Sequence, residues 1–245
     1  MREAAVIMAA GKGTRMRSEL PKVCHVAAGK PLVRWVAEAC VAAGIDTLVA
    51  VVGYRADVVI AALDGFGARF ATQSEQLGTG HAALQARDVL GDEPWRLFVL
   101  NGDMPLIDAH TLNAMRETHV GQGAAMTLTS TVPARPLEYG RVIRDGQGRI
   151  QAIVEERDCT SEQAAVRELN VGFYVFDAPG VWPVLASLAS NNKAGEYYIT
   201  DMARSYASRG EKVVSVRVPE QVGSGVNTVE QLAWIEGLLT ERQTG

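Results

Sequence analysis

Through its first hundred residues the chain alternates short apolar, β-rich runs with longer amphipathic stretches, and that alternation constrains the fold more than any single residue. The runs fall at 4–10, 47–52, 68–72 and 97–102, with helices expected at about 31–43, 55–63 and 79–89. Strands joined through helices lie side by side in a mostly parallel sheet covered on both faces. Ligands of such sheets sit beyond the carboxyl ends of the strands. The loop after the first strand and Asn101-Gly102-Asp103 at the end of the fourth run therefore open onto one crevice.

After residue 120 the pattern changes. β-type runs at 124–132, 141–144, 150–154 and 170–176 are separated in several places by short turns only. Helices follow at about 179–189 and 195–208, then a strand at 213–218 and a helix from about 228 to 241. A mixed extension of the sheet or a small lobe is expected. No linker rich in Gly, Ser or Pro and no internal repeat interrupts the chain. The expectation is a single domain, 1–245, of two lobes: one from about 1–120 with 210–245, and a smaller β-rich one from about 121–209.

Hydrophobic residues make up 47% of the 245 and charged residues 21%, which provides for an ample core and excludes disorder. The formal net charge of −4 argues against a broad nucleic-acid surface, so any positive charge must be local. Cys24, Cys40 and Cys159 are odd in number and lack close pairing, which argues against a disulfide framework or zinc cluster and suits a reducing cytoplasm. The first apolar run is too short to span a membrane and carries no signal-peptide pattern, so no membrane partner is expected.

The run Ala4–Ala10 empties into Gly11-Lys12-Gly13-Thr14-Arg15-Met16 and then Leu20-Pro21-Lys22. Glycines leave backbone N–H groups bare, and Lys12, Arg15 and Lys22 gather three cations near the strand end. The loop lacks the four-residue gap of a P-loop, and Met16 stands where a dinucleotide fingerprint has its third glycine. This surplus of cations favours a nucleoside triphosphate with a departing pyrophosphate; the alternative is a strand-to-helix turn carrying surface charges. Asp103, after Leu97-Phe98-Val99-Leu100, is placed to hold Mg²⁺ beside phosphates or, alternatively, to cap the turn at Pro105. In the segment from Gln73 to Ala82, two glutamines and bare glycine backbone can read a base edge, while Thr79 can equally cap the next helix. His81 is expected to be packed, and His25, His110 and His119 show no metal spacing.

Several motifs then recur in order: Met8–Met16, Leu20-Pro21-Lys22, Gln76–Ala82, Gly102-Asp103, Tyr139-Gly140-Arg141, Glu196–Asp201 and Gly225-Val226-Asn227. In this order the chain resembles, over essentially its whole length, the uridylyltransferase domain of the bacterial N-acetylglucosamine-1-phosphate uridylyltransferases. The resemblance implies an α/β, Rossmann-like nucleotide-diphospho-sugar transferase fold, with a mixed, mostly parallel central sheet, helices on both faces and a small β-rich sugar-binding lobe. It implies transfer from UTP to N-acetylglucosamine 1-phosphate with release of pyrophosphate. By that resemblance Asp103 and Asn227 hold Mg²⁺, and Arg15 and Lys22 grip phosphates. Ala9, Ala10, Gly11 and Gly13 face the nucleotide, while Gln73, Gln76, Gly78 and Thr79 enclose uracil and its neighbouring groups. Gly140, Glu155, Asn170 and Thr200 hold the sugar.

Two departures bear on the sugar side. Val171 follows Asn170 where the resemblance has a small hydroxyl residue, and Glu156-Arg157-Asp158 replaces a lysine-containing version. Another sugar 1-phosphate or nucleotide on the same fold therefore stays open, as does a nucleotide-binding relative without turnover. The chain ends at Gly245 without the β-helix acetyltransferase repeats of the bifunctional enzymes, so acetyl transfer and trimerisation through that domain are expected to be absent.

Overall fold

The computed structural model describes residues 1–134 and 137–244. It begins with β1 (Arg2–Met8), a small hairpin of β2 (Val26–Ala27) and β3 (Lys30–Pro31), α1 (Leu32–Ala42), β4 (Thr47–Val52) and α2 (Ala56–Ala62). Next come β5 (Arg69–Thr72), α3 (Thr79–Gln85), α4 (Arg87–Leu90), β6 (Trp95–Asn101), α5 (Ala109–Gln122) and β7 (Met126–Thr131). The remainder is β8 (Arg141–Arg144), β9 (Ile150–Val154), α6 (Ser161–Ala164), β10 (Leu169–Asp177), α7 (Val181–Ala186), α8 (Asp201–Ser208), β11 (Val213–Arg217) and α9 (Val229–Thr244).

One sheet runs β11-β7-β10-β6-β1-β4-β5, with the β8–β9 hairpin joined at the start of β10. It is parallel along this path except where β10 enters between β6 and β7. Each central strand is apolar at consecutive positions because successive side chains feed opposite cores. Ala4, Val6, Val49, Val51, Leu97 and Val99 pack under α3, α7 and α8, whereas Ala5, Ile7, Leu48, Ala50, Phe98 and Leu100 pack under α1, α2 and α5. The expected architecture, a mixed and mostly parallel sheet with helices on both faces, is thus the one the chain adopts.

Four local expectations need correction. β1 ends at Met8 because Gly102 N, turning away after β6, takes the Met8 carbonyl at 3.0 Å, while Ala9 N still donates to Val51 O and Ala10 O accepts from Tyr54 N on the β4 side. α5 carries little sequence signal of a helix, since two of its buried positions are the polar Thr111 and His119 and its apolar stripe is faint. Asp108 caps it, accepting from Thr111 N at 2.8 Å. The helix expected at 179–189 forms only over Val181–Ala186. The helix expected at 195–208 begins only at Asp201, because the preceding backbone is committed elsewhere. Tyr197 N donates to Leu77 O and Gly80 N to Tyr197 O, both at 2.8 Å. The strand ends that open onto the crevice, those of β1 and β6, therefore gain a wall from residues 196–200.

Candidate active site

The glycine loop is shaped by what must pass behind it. Gly13 has φ +69°, and a methyl there would stand 2.6 Å from Lys22 Cβ, so glycine lets the Lys22 stem run against the loop. Gly11 meets no such demand: a methyl group there would have no neighbour within 4 Å, and the residue lines a cavity. Short 3₁₀ turns at Thr14–Met16 and Lys22–Cys24 then carry Arg15 and Lys22. Lys12 turns aside, its Nζ 5.1 Å from the centre of the Tyr54 ring.

Arg15 and Lys22 converge on two oxygens. Asn227 Oδ1 accepts from Arg15 Nη2 at 2.8 Å and from Lys22 Nζ at 3.1 Å, and the Lys22 ammonium also pairs with Asp103 Oδ2. Asp103 does not cap the Pro105 turn; its carbonyl accepts from Val226 N at 3.0 Å, drawing the segment before α9 to the end of β6. Thr228 and Gln231 exchange hydrogen bonds as a reciprocal cap, and Asn227 N donates to Gln231 Oε1 at 2.7 Å. A carboxylate and an amide oxygen that already gather two cations form a donor set suited to a hard divalent ion. Among the described residues no group of three or more His, Cys, Asp or Glu gathers as metal ligands, so most of a metal's shell here would come from water and ligand.

Gln73 is buried; its Nε2 donates to Gly78 O at 3.1 Å and lies 3.0 Å from His81 Nδ1. Gln76 Nε2 donates to Ala10 O at 2.7 Å. Each glutamine thus commits a donor to the fold. Gly78, at φ +112°, lies so close to Tyr197 that a methyl there would meet its carbonyl oxygen at 2.7 Å. Thr79 Oγ1 makes no cap; it accepts from Ile199 N at 3.0 Å.

On the far side, Thr200 Oγ1 donates to Glu155 Oε1 at 2.9 Å. Burial pushes the Glu155 carboxyl above the usual carboxylate range, aided by Asp201 and Asp158 and opposed by the Thr200 hydrogen bond and Arg157. Asn170 N donates to Gly140 O at 2.8 Å, and Asn170 Nδ2 to Tyr174 Oη at 2.7 Å. The ladder between β10 and β7 shifts between these two residues, and Asn101 Nδ2 spans the irregular stretch by donating to Gly172 O at 3.2 Å. Val171 sends its methyls toward Gly223, where a Cβ would meet them at 3.0 Å. Of the Glu156-Arg157-Asp158 turn, Glu156 pairs with Arg141 and Asp158 accepts from Lys193 N at 3.0 Å; none of the three lines the cavity of Glu155 and Asn170.

Two cavities result. One, of about 280 Å³, is lined by Ala10, Gly11, Gln73, Gln76, Gly78 and Glu196. The other, of about 300 Å³, is lined by Tyr139, Gly140, Glu155, Asn170, Thr200 and Asn227. They share Met8, Lys22, Thr79, Asn101 and Asp103, so they meet at the ammonium–carboxylate pair. Ala9, Gly13 and Arg15 line neither: Ala9 is packed in the core beneath α1, Gly13 backs Lys22, and Arg15 reaches Asn227 from the rim. Asn101, Tyr139 and Tyr174 also line the second cavity, beyond the residues expected from sequence. For Asn101 and Tyr139 the signal was adjacency, one preceding Gly102-Asp103 and the other opening Tyr139-Gly140-Arg141. Tyr174 gave none, being one apolar strand position among several.

The strand ends of this mixed, mostly parallel sheet thus frame two cavities with a cation and a carboxylate at their junction, an arrangement suited to joining two phosphorylated substrates. The chain belongs to the nucleotidyl transferase family, which it matches over residues 4–234. Over 240 residues, 98% of its length, it is 44% identical to the bifunctional protein GlmU of Pelotomaculum thermopropionicum. It is 43% identical over 239 residues, again 98% of its length, to the bifunctional protein GlmU of Thermus thermophilus. The chain spans about half the length of these relatives, 52% in both cases. Among solved structures, a UDP-glucose pyrophosphorylase complexed with UDP-glucose shares the fold, with a TM-score of 0.79 over 99% of this chain and 100% of that one at 19% identity. The resemblance drawn from the ordered motifs therefore holds along the chain. No helix among the described residues is long and apolar enough to cross a membrane.

Proposed function

We propose that the chain is a Mg²⁺-dependent transferase that joins UTP to N-acetylglucosamine 1-phosphate and releases pyrophosphate. The observation that carries this reading is the pair of cavities meeting at Lys22 and Asp103. Nucleotidyl transfer requires an anionic acceptor to reach the α-phosphorus of a bound triphosphate, and a junction bearing an ammonium is suited to that encounter.

On this reading Ala10, Gly11, Gln73, Gln76, Gly78 and Thr79 take the nucleotide, with Ala9 and Gly13 shaping the loop behind them. With one N–H of each held by Gly78 O and Ala10 O, the two glutamines keep carbonyl oxygens that can complement the imide N–H of uracil. Gly140, Glu155, Asn170 and Thr200 hold the sugar, so that the stretch from about 121 to 209 serves the sugar and the rest serves the nucleotide. Asp103 and Asn227 would hold Mg²⁺, which when bound neutralises charge on the phosphate oxygens. Arg15 and Lys22, released from those oxygens, grip the phosphates. A sugar phosphate oxygen bonds to the α-phosphorus while the bond to the bridging oxygen breaks in line with it, and that electron pair leaves with pyrophosphate. Attacking and leaving groups are both anionic, so the chain need supply neither nucleophile nor general base. Free thiols at Cys24, Cys40 and Cys159 suit a cytoplasmic setting, where UTP is available.

Incubation with UTP, Mg²⁺ and N-acetylglucosamine 1-phosphate is expected to release pyrophosphate and form the UDP-sugar. If neither product forms, the reading is refuted. Comparing kcat/KM with glucose 1-phosphate and other sugar 1-phosphates separates the amino sugar from its alternatives.

A further inference from the structure

We propose that Tyr139 is a positioning residue that ties the sugar side of the crevice to the Asp103–Asn227 oxygen pair; the inference rests on the reading of those oxygens as metal ligands. Its hydroxyl donates to Gly223 O at 2.9 Å and lies 3.5 Å from Gly225 N, so one side chain grips the turn that leads into Asn227. That turn lies against the site. A methyl group at Gly225 would stand 3.5 Å from Asp103 Oδ2 and 3.7 Å from Asn227 Nδ2, and the next residue, Val226, is fixed to the Asp103 carbonyl.

At its other end Tyr139 is joined to the second cavity. Its neighbour Gly140 accepts from Asn170 N, and Val171, next to Asn170, packs its methyls against Gly223. Tyr139 and Gly140 themselves line the cavity of Glu155 and Asn170. The stretch Tyr139–Gly140 is therefore a strut, with Asn170 at one end and the Gly223–Asn227 turn at the other. No other side-chain hydrogen bond among the described residues reaches the Gly223 carbonyl. Phenylalanine at 139 would keep the ring and its packing while releasing the turn.

The test is Mn²⁺ titration of the protein without nucleotide, followed by electron paramagnetic resonance, in wild type, Tyr139→Phe, Asn227→Ala and the double variant, with thermal melts to verify folding. Tyr139→Phe is expected to weaken Mn²⁺ about threefold to tenfold, the effect of one lost hydrogen bond, and to add nothing in the Asn227→Ala background. In turnover it should raise the Mg²⁺ concentration for half-maximal rate. If Asn227→Ala weakens Mn²⁺ and Tyr139→Phe does not, or if the two effects add, the strut is refuted and the oxygen pair stands. If Asn227→Ala leaves Mn²⁺ affinity unchanged, both the oxygen pair and the strut fail.

Discussion

Replacing Lys22 by methionine should tighten divalent-cation binding to the free protein while slowing turnover. The Lys22 ammonium touches both proposed metal ligands, pairing with Asp103 Oδ2 and donating to Asn227 Oδ1. A metal must displace it. The Lys22 and Asp103 side chains are 22% and 15% exposed, a half-buried pair whose gross attraction at an effective dielectric near 20 is about 4 kcal/mol. Desolvation and lysine entropy offset much of that, leaving about 1–2 kcal/mol for the metal to overcome. Lys22→Met should then bind Mn²⁺ roughly 5- to 30-fold more tightly. Its kcat should fall by about a hundredfold, as expected for a lost charge on transferring phosphates. Electron paramagnetic resonance reads the affinity and pyrophosphate release reads the rate. Unchanged or weaker Mn²⁺ binding in Lys22→Met would refute the competition, with Asp103→Asn serving as the variant that must lose the ion.

Asp103→Ala should abolish most Mg²⁺-dependent turnover and leave the fold intact by circular dichroism; retained turnover would remove Asp103 from the metal site. Glu155→Gln should change how stability depends on pH. The folded-state carboxyl titrates above its unfolded value, so ionisation costs wild-type stability as pH rises through that raised value, and nothing differs below the ordinary glutamate range. The variant should therefore melt higher than wild type near pH 8 and alike near pH 4, and a gap independent of pH would contradict the cause assigned. Gly78→Ala forces a methyl into a left-handed backbone 2.7 Å from Tyr197 O. Urea unfolding should register a loss of about 2–4 kcal/mol, and a loss under about 1 kcal/mol would mean that the approach relaxes easily.

The elements read most faithfully from sequence were those whose pattern is set by burial alone. Thr47–Val52, Arg141–Arg144 and Ile150–Val154 form strands at the bounds expected, because a run of branched apolar residues between turns has few other uses. α5 escaped notice since it buries Thr111 and His119, and the latter pairs with Thr127, a satisfaction that only the tertiary structure supplies. Its capping signals, Asp108 and Gly123, were there to be read. At the site, residue types announced Asp103 and the glutamines and the resemblance added Asn227, but neither told what each polar atom does. Thr79 looked like a cap and instead holds Ile199, a partner 120 positions away. Val171 looked like a lost hydroxyl, and its methyls meet Gly223, a contact between residues remote in sequence.

The seam where Leu77–Gly80 meets Tyr197–Ile199 also limits how such proteins can be recombined. Two backbone hydrogen bonds and one threonine contact cross it, and the fit needs a bare α-carbon at Gly78. A chimera that takes residues beyond about 120 from a relative with different sugar preference would inherit a new strip against an old loop. Breeding altered specificity into this scaffold should therefore work best when 76–80 and 196–200 are exchanged as one cassette.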